Sequence, residues 1–207
     1  MSDSPHGARA DVLAKIRYAL ADKPEQQEIP RDYETSRDVG DLLDLTEERI
    51  ADYKATVHRS TDLVATITEV LTARGRRRMI APADLPEEWR IAGVDWTLDS
   101  PELDIDTMAA SDGVLTGCST AIAETGTIIL DSGVGQGRRA LTLLPDYHLC
   151  VIREEQIVGT VPEAISRVRP DRPITFISGP SATSDIEFNR VEGVHGPRTL
   201  DVIIALR

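Results

Sequence analysis

Seven short apolar runs, rich in β-branched residues and separated by segments bearing glycine, proline or charge, constrain the fold more than any other feature of this chain. They occupy 55–59, 78–81, 113–116, 127–130, 149–152, 174–177 and 202–206. Runs of four or five residues with little polar alternation read as strands buried on both faces. Between the first two, Leu63, Ile67, Val70 and Leu71 recur at helical spacing and end at Gly75, a natural C′ residue. Thr160, with Glu163 three residues on and Pro162 between them, opens a further helix predicted to bury Ile165 and Val168. Strand alternating with helix predicts an α/β fold, an open, mostly parallel sheet with helices on both faces.

The chain before residue 55 has a different character. Leu13, Ile16 and Leu20 predict an amphipathic helix over 9–21, stopped by Pro24. Residues 24–41 are polar, carry Pro24 and Pro30, and read as an exposed connection or arm able to embrace another subunit, which makes a homo-oligomer a candidate state. Thr46 before Glu47 and Glu48 predicts a helix start, with acids placed where the helix dipole favours them. The expected organisation is therefore an N-terminal helix and extended arm over 1–45 and one α/β domain over 46–207, a division in keeping with a chain of 207 residues.

A formal net charge of −12 argues against nucleic acid or an anionic membrane as the main partner, because both require a surface that neutralises phosphate. Local basic patches remain at Arg74–Arg78, read as a solvated helix end, and at Arg138 and Arg139. No stretch approaches the roughly 18 apolar residues of a membrane helix, and residues 1–10 lack the layout of a secretory signal, so a cytoplasmic location is expected. The two cysteines, Cys118 and Cys150, are far apart and form no CxxC pair. Neither a zinc knuckle nor an iron–sulfur cluster can be built from them alone, and buried free thiols are expected. His148 and Cys150 alternate on a buried strand and read first as packing residues, so no metal site is assigned.

Chemistry is most concentrated in the turns of the second half. Residues 117–126 read GCSTAIAETG, whose small side chains allow close backbone approach. Glu124 there either caps a backbone turn or serves as acid, base or nucleophile, with Thr125 and Gly126 beside it as anion-binding candidates. Residues 133–139 read GVGQGRR, in which Gly135 and Gly137 can turn amides inward and Arg138 and Arg139 supply forked donors for carboxylate or phosphate. The spacing matches neither a dinucleotide fingerprint nor a P-loop, and an ordinary hairpin is the plainer reading. Residues 178–187 read SGPSATSDIE directly after a strand. Ser178, Gly179, Ser181, Thr183 and Ser184 are candidates for an anion site at the carboxyl edge of the sheet, or for N-capping a helix that Asp185 and Glu187 would complement. In GVHGP, 193–197, His195 sits between glycines and could transfer a proton or bind an anion, or act as a hydrogen-bonding spacer.

Four ordered segments, AIAETGTIIL, LLPDYHLCVI, ITFISGPSATSDIE and GVHGPRTLDVII, resemble the LUD-domain family, within it the lactate utilisation protein C group; the likeness covers 112–206. The resemblance implies an α/β fold related to the sugar-phosphate isomerase and CoA-transferase superfamily. It also implies a part in oxidising L-lactate to pyruvate alongside two iron–sulfur partners, lactate utilisation proteins A and B, so clusters are expected in the partners and no cofactor in this chain. It transfers no catalytic residue. Glu124-Thr125-Gly126 is similar to the acyl-accepting glutamate motif of CoA transferases, which gives acyl or phosphoryl transfer through Glu124 as the alternative activity. The glycine-rich loop is similar to phosphate loops of folate cyclo-ligases, but Arg138 and Arg139 stand where those enzymes carry aromatic residues, a departure that speaks against nucleotide binding.

Overall fold

The computed structural model describes residues 5–21, 28–183, 191–192 and 196–207. Parts of the readings above lie outside the described residues, namely residues 24–27 of the arm, Ser184, Asp185, Glu187, His195 and the side chain of Thr183. Two compact units divide the chain, Met1–Tyr33 and Glu34–Arg207. The first holds helix α1 (Pro5–Ala19), on which Val12, Leu13 and Ile16 are exposed. No helix among the described residues is long and apolar enough to cross a membrane.

In the second unit the order is α2 (Leu42–Asp52), β1 (Thr56–Ser60), α3 (Leu63–Ala73), β2 (Arg78–Ala81), β3 (Asp95–Leu98), α4 (Ile105–Ala110), β4 (Gly113–Thr116), β5 (Thr120–Ile122), β6 (Thr127–Leu130), β7 (Tyr147–Arg153), β8 (Ile157–Val158), α5 (Val161–Arg167), β9 (Thr175–Ile177), β10 (Ala182–Thr183), β11 (Val191–Glu192) and β12 (Thr199–Ala205). Six strands form an all-parallel sheet in the order β1-β12-β7-β4-β2-β3. Alternate residues of its strands point to opposite faces. One face, carrying Met79, Leu115, Leu149, Val151 and Ile203, packs on Ile67, Val70 and Leu71 of α3. Onto the other, Cys150, Ile152, Val202 and Ile204 meet Ile50 of α2 and a second sheet, while Ile80 and Val114 meet Met108 of α4. The expected parallel α/β architecture is thus present.

The second sheet was not foreseen. Its order is β8-β5-β6-β9, with β5–β6 and β6–β9 antiparallel and β5–β8 parallel. The apolar runs at 127–130 and 174–177 belong to it and not to the parallel sheet. Ile122 pairs with Thr127 across a four-residue connection. So short a link can only close a hairpin, because a parallel return needs a crossover of about a dozen residues or more. Gly126 completes the turn at φ +61°, where a Cβ would stand 2.6 Å from the Arg49 carbonyl.

Local signals set the helix ends. Asp41, not Thr46, caps α2, its carboxylate accepting the Leu43 and Asp44 amides at 2.9 Å; the apolar face starts at Leu42, which leaves Thr46 buried inside the helix. At the end of α3, Gly75 N–H donates to Thr72 O and Arg76 N–H to Leu71 O, the paired bonds of a Schellman motif. Glu163 Oε2 accepts the Thr160 amide at 2.8 Å to start α5 as expected, though Ile165 is exposed and Ala164 is the buried residue. The arginine run that follows α3 is not merely solvated. Arg74 forks onto the fully buried Asp201 at 2.7 and 2.8 Å, and Asp201 also accepts the Tyr147 hydroxyl at 2.9 Å. Burial, reinforced by Asp201, pushes the Tyr147 hydroxyl far above its ordinary range. Arg76 lies 5.0 Å from the Tyr147 ring centroid, and Arg78 pairs with Asp112.

Candidate functional site

β7 and β12 run side by side with Tyr147 opposite Thr199 and His148 opposite Leu200, so both strands begin at the same edge of the parallel sheet. β9 crosses nearby on the smaller sheet and ends in Ser178, Gly179 and Pro180. Between them lies a cavity of about 250 Å³. His148 and Leu200 come from the large sheet, Phe176 and residues 178–181 from the small one, Gly196 and Pro197 from the segment leading into β12. Arg139 and Thr142 complete the wall from the short helical turn Arg139–Thr142 that precedes β7. The cavity therefore opens at the amino edge of the strands, whereas the serine-rich segment after the run at 174–177 is expected from sequence at the carboxyl edge. The difference follows from β9, which belongs to the second sheet and not to the parallel one, so the carboxyl edge of the large sheet does not set where Ser178 and Ser181 fall.

Polar groups of distinct kinds line this cavity. Arg139 is exposed and makes no side-chain hydrogen bond or ion pair among the described residues. Ser178 Oγ lies 2.9 Å from Thr127 Oγ1, which accepts from Thr125 Oγ1 at 2.9 Å, so Thr125 reaches the cavity through a chain of hydroxyls. Gly179 has φ +87°, and a Cβ there would collide with the Tyr53 Cβ and lie 2.9 Å from the Tyr53 carbonyl oxygen; only glycine lets the turn press this closely. The Ser181 amide donates to Pro197 O at 2.8 Å, joining the two segments that flank the opening. His148 is 1% exposed, with Nε2 2.8 Å from Thr116 Oγ1, and burial lowers its pKa to about 4. The ring is neutral near pH 7. From sequence His148 reads as packing; its place in the wall follows from strand order, which brings Thr116 of β4 beside it, and no local pattern carries that information.

Arg138, Glu124, Gly133 and Gly135 lie elsewhere and have protein partners. Arg138, adjacent in sequence to Arg139, forks onto Asp99 at 2.8 and 3.0 Å and donates to Leu103 O at 2.6 Å. The bond to Asp99 raises the Arg138 pKa; burial opposes ionisation of Asp99, but the bonds from Arg138 and the Leu103 amide outweigh it and hold that carboxyl below its ordinary value. In the glycine-rich loop, the Gly133 amide donates to Asp131 Oδ1 and the Gly135 amide to Asp84 Oδ1, both at 3.1 Å. Gln136 is buried and bridges back to the Asp131 amide at 2.6 Å, while Gly137 packs on Leu141 and Pro82. The Gly133 and Gly135 amides are thus taken by carboxylates of the protein, and the Gln136 amide by the Gly133 carbonyl. Glu124 pairs with Arg37 at 2.5 Å and accepts the Val161 amide at 3.1 Å at the first turn of α5, and it does not line the cavity. Thr183 is in β10, antiparallel to β11. Cys118 and Cys150 are buried free thiols, donating to Gln156 Oε1 and Gly117 O, and the neighbouring Cys150 together with burial raises the Cys118 thiol pKa. Among the described residues, no three His, Cys, Asp or Glu side chains gather as a metal site.

Comparison with known proteins gives one consistent family. The family model for the LUD domain matches residues 43–205. Lactate utilization protein C of Deinococcus radiodurans is 45% identical over 203 residues, covering 95% of either chain. The protein of the same name from Geobacillus sp. (strain WCH70) is 32% identical over 131 residues, 58% of this chain and 54% of its own. The crystal structure of a DUF162 family protein from Deinococcus radiodurans aligns with TM-score 0.68 and 44% identity, covering 79% of this chain and 96% of that one. With a full-length relative at that identity and a family match spanning both sheets, the chain belongs to the LUD domain family.

Proposed function

We propose that this chain is a non-redox component of an L-lactate utilisation system, and that the cavity at the amino edge of β7 and β12 binds a small carboxylate of that system. The observation that carries the reading is Arg139, a guanidinium without a protein partner among the described residues, on the wall of a cavity that also presents Ser178 and Thr142. In a chain of net charge −12 an anion is repelled from most of the surface, so a site for one needs a local cation with unused donors. The lactate assignment rests on relatives named for lactate utilisation. Two cysteines cannot supply the four thiolates of an iron–sulfur cluster, so electron transfer is assigned to cluster-bearing partners, lactate utilisation proteins A and B.

Calorimetric titration with L-lactate and with pyruvate tests the proposal. The chain is expected to bind at least one of them, and Arg139→Ala to weaken binding by about 1.5 to 3 kcal/mol, roughly ten- to a hundredfold, since hydrogen bonds to charged groups have that worth. No binding by the unsubstituted chain, or equal binding by the variant, defeats it. Gentle co-purification with the cluster-bearing partners tests the subunit role separately, and a chain that never associates with them is not such a subunit.

A further inference from the structure

His148 is the one polar side chain of the cavity wall drawn from the middle of the large sheet. Its Nε2 is held by Thr116 Oγ1 at 2.8 Å, and Nδ1 makes no hydrogen bond among the described residues. Thr116 is fully buried, and His148 is its hydroxyl's sole hydrogen-bonding partner among those residues. A buried hydroxyl proton without an acceptor is costly, so the hydroxyl donates to Nε2. The neutral ring then carries its proton on Nδ1. Two lining residues thus carry donors of different character, the charged guanidinium of exposed Arg139 and the uncharged ring of buried His148.

We propose that His148 is a specificity-determining residue: Nδ1–H donates to the oxygen on C2 of the bound acid while Arg139 takes its carboxylate, so that the site selects 2-hydroxy and 2-oxo acids over plain carboxylates. The inference rests on the functional reading above and adds to it a ligand class and a second contact. A neutral donor suits this task. An imidazolium would attract any carboxylate and blur the distinction, whereas an uncharged N–H adds affinity only where an acceptor oxygen stands opposite it. An acid lacking that oxygen would leave the buried donor unpaired, which is how a polar site rejects an analogue one atom short.

The test compares L-lactate and pyruvate with propionate, which keeps the carboxylate and the three-carbon chain and lacks the C2 oxygen. The unsubstituted chain is expected to prefer the oxygenated acids by about tenfold. His148→Gln retains a group at the Nε2 position for Thr116 and loses the Nδ1 donor, so the preference should vanish while propionate binding stays. His148→Asn restores a donor near Nδ1 and should recover part of the preference. Should either variant fail to fold, imidazole ¹⁵N spectra of the unsubstituted chain decide, with the Nδ1 resonance moving on addition of L-lactate and unmoved by propionate. Equal binding of all three acids, a preference that survives in His148→Gln, or an Nδ1 resonance indifferent to lactate overturns the assignment and leaves the carboxylate site standing. Failure of the unsubstituted chain to bind any of the acids overturns both.

Discussion

Acidification should destabilise the fold through His148 by an amount that can be worked out in advance. Burial holds its folded-state pKa at about 4 against an ordinary 6.5. Between those values the unfolded chain binds a proton that the folded chain does not, so stability is complete above pH 6.5 and falls as pH is lowered. The loss from this one group is about 1.3 kcal/mol between pH 7.5 and pH 5.5, reaches about 3 kcal/mol at pH 4 and levels off at about 3.4 kcal/mol at lower pH. Urea unfolding at pH 7.5, 6.5 and 5.5, followed by Trp89 and Trp96 fluorescence, measures it. Carboxylates titrate in the same experiment, so the informative quantity is the difference from His148→Gln, which keeps a bond to Thr116 and cannot protonate. That difference should shrink by about 1.3 kcal/mol from pH 7.5 to 5.5. A difference constant to within about 0.3 kcal/mol would show that the imidazole is not held neutral by burial, and the argument for an uncharged donor at His148 would fail with it.

Other substitutions separate architecture from site. Arg138→Ala removes three bonds to Asp99 and Leu103 and leaves the Asp99 carboxylate, 8% exposed, without its cation; chemical unfolding should register a loss of about 2 kcal/mol or more, with any ligand affinity that Arg139 supports kept, and the reverse pattern would reassign Arg138 to the site. Gly179→Ala meets Tyr53 at a positive φ, so a stability loss of about 1 to 3 kcal/mol accompanied by weakened ligand binding is expected, and a neutral effect would contradict the close approach. Glu124→Gln gives up a pair whose arginine is 60% exposed, so unfolding should change by no more than about 1 kcal/mol and carboxylate binding not at all; loss of binding or of an acyl-transfer activity would restore Glu124 to a chemical role.

How far the fold was legible depended on whether its determinants were local. The strand limits at Arg78–Ala81, Gly113–Thr116 and Thr127–Leu130 agree with the apolar runs, and Gly75 ends α3 as its position implied. Pairing partners are a different matter. Nothing in TIIL or ITFI says whether its neighbour runs parallel or antiparallel: ITFI joins the second sheet by pairing with TIIL, and TIIL joins it through a hairpin with the three-residue strand Thr120–Ile122. Three residues of that length give no periodicity to detect. The site shows the same limit. Arg139 and the serines after β9 line one cavity, whereas Arg138, one residue away, faces Asp99, and the Gly135 amide faces Asp84, 51 residues earlier. Which of two adjacent arginines meets a carboxylate is decided by tertiary contacts. His148 was visible as a histidine in a buried strand, but Thr116 joins it only through the β4–β7 pairing.

Amide chemical-shift mapping of the ¹⁵N-labelled chain during titration with L-lactate tests the account most directly. Saturable shifts concentrated at Ser178, Gly179, Ser181 and Gly196 and absent from Arg139→Ala are the predicted result. Shifts centred on Gly133, Gly135 and Gly137 or around Glu124, or a spectrum that lactate leaves unchanged, would contradict it.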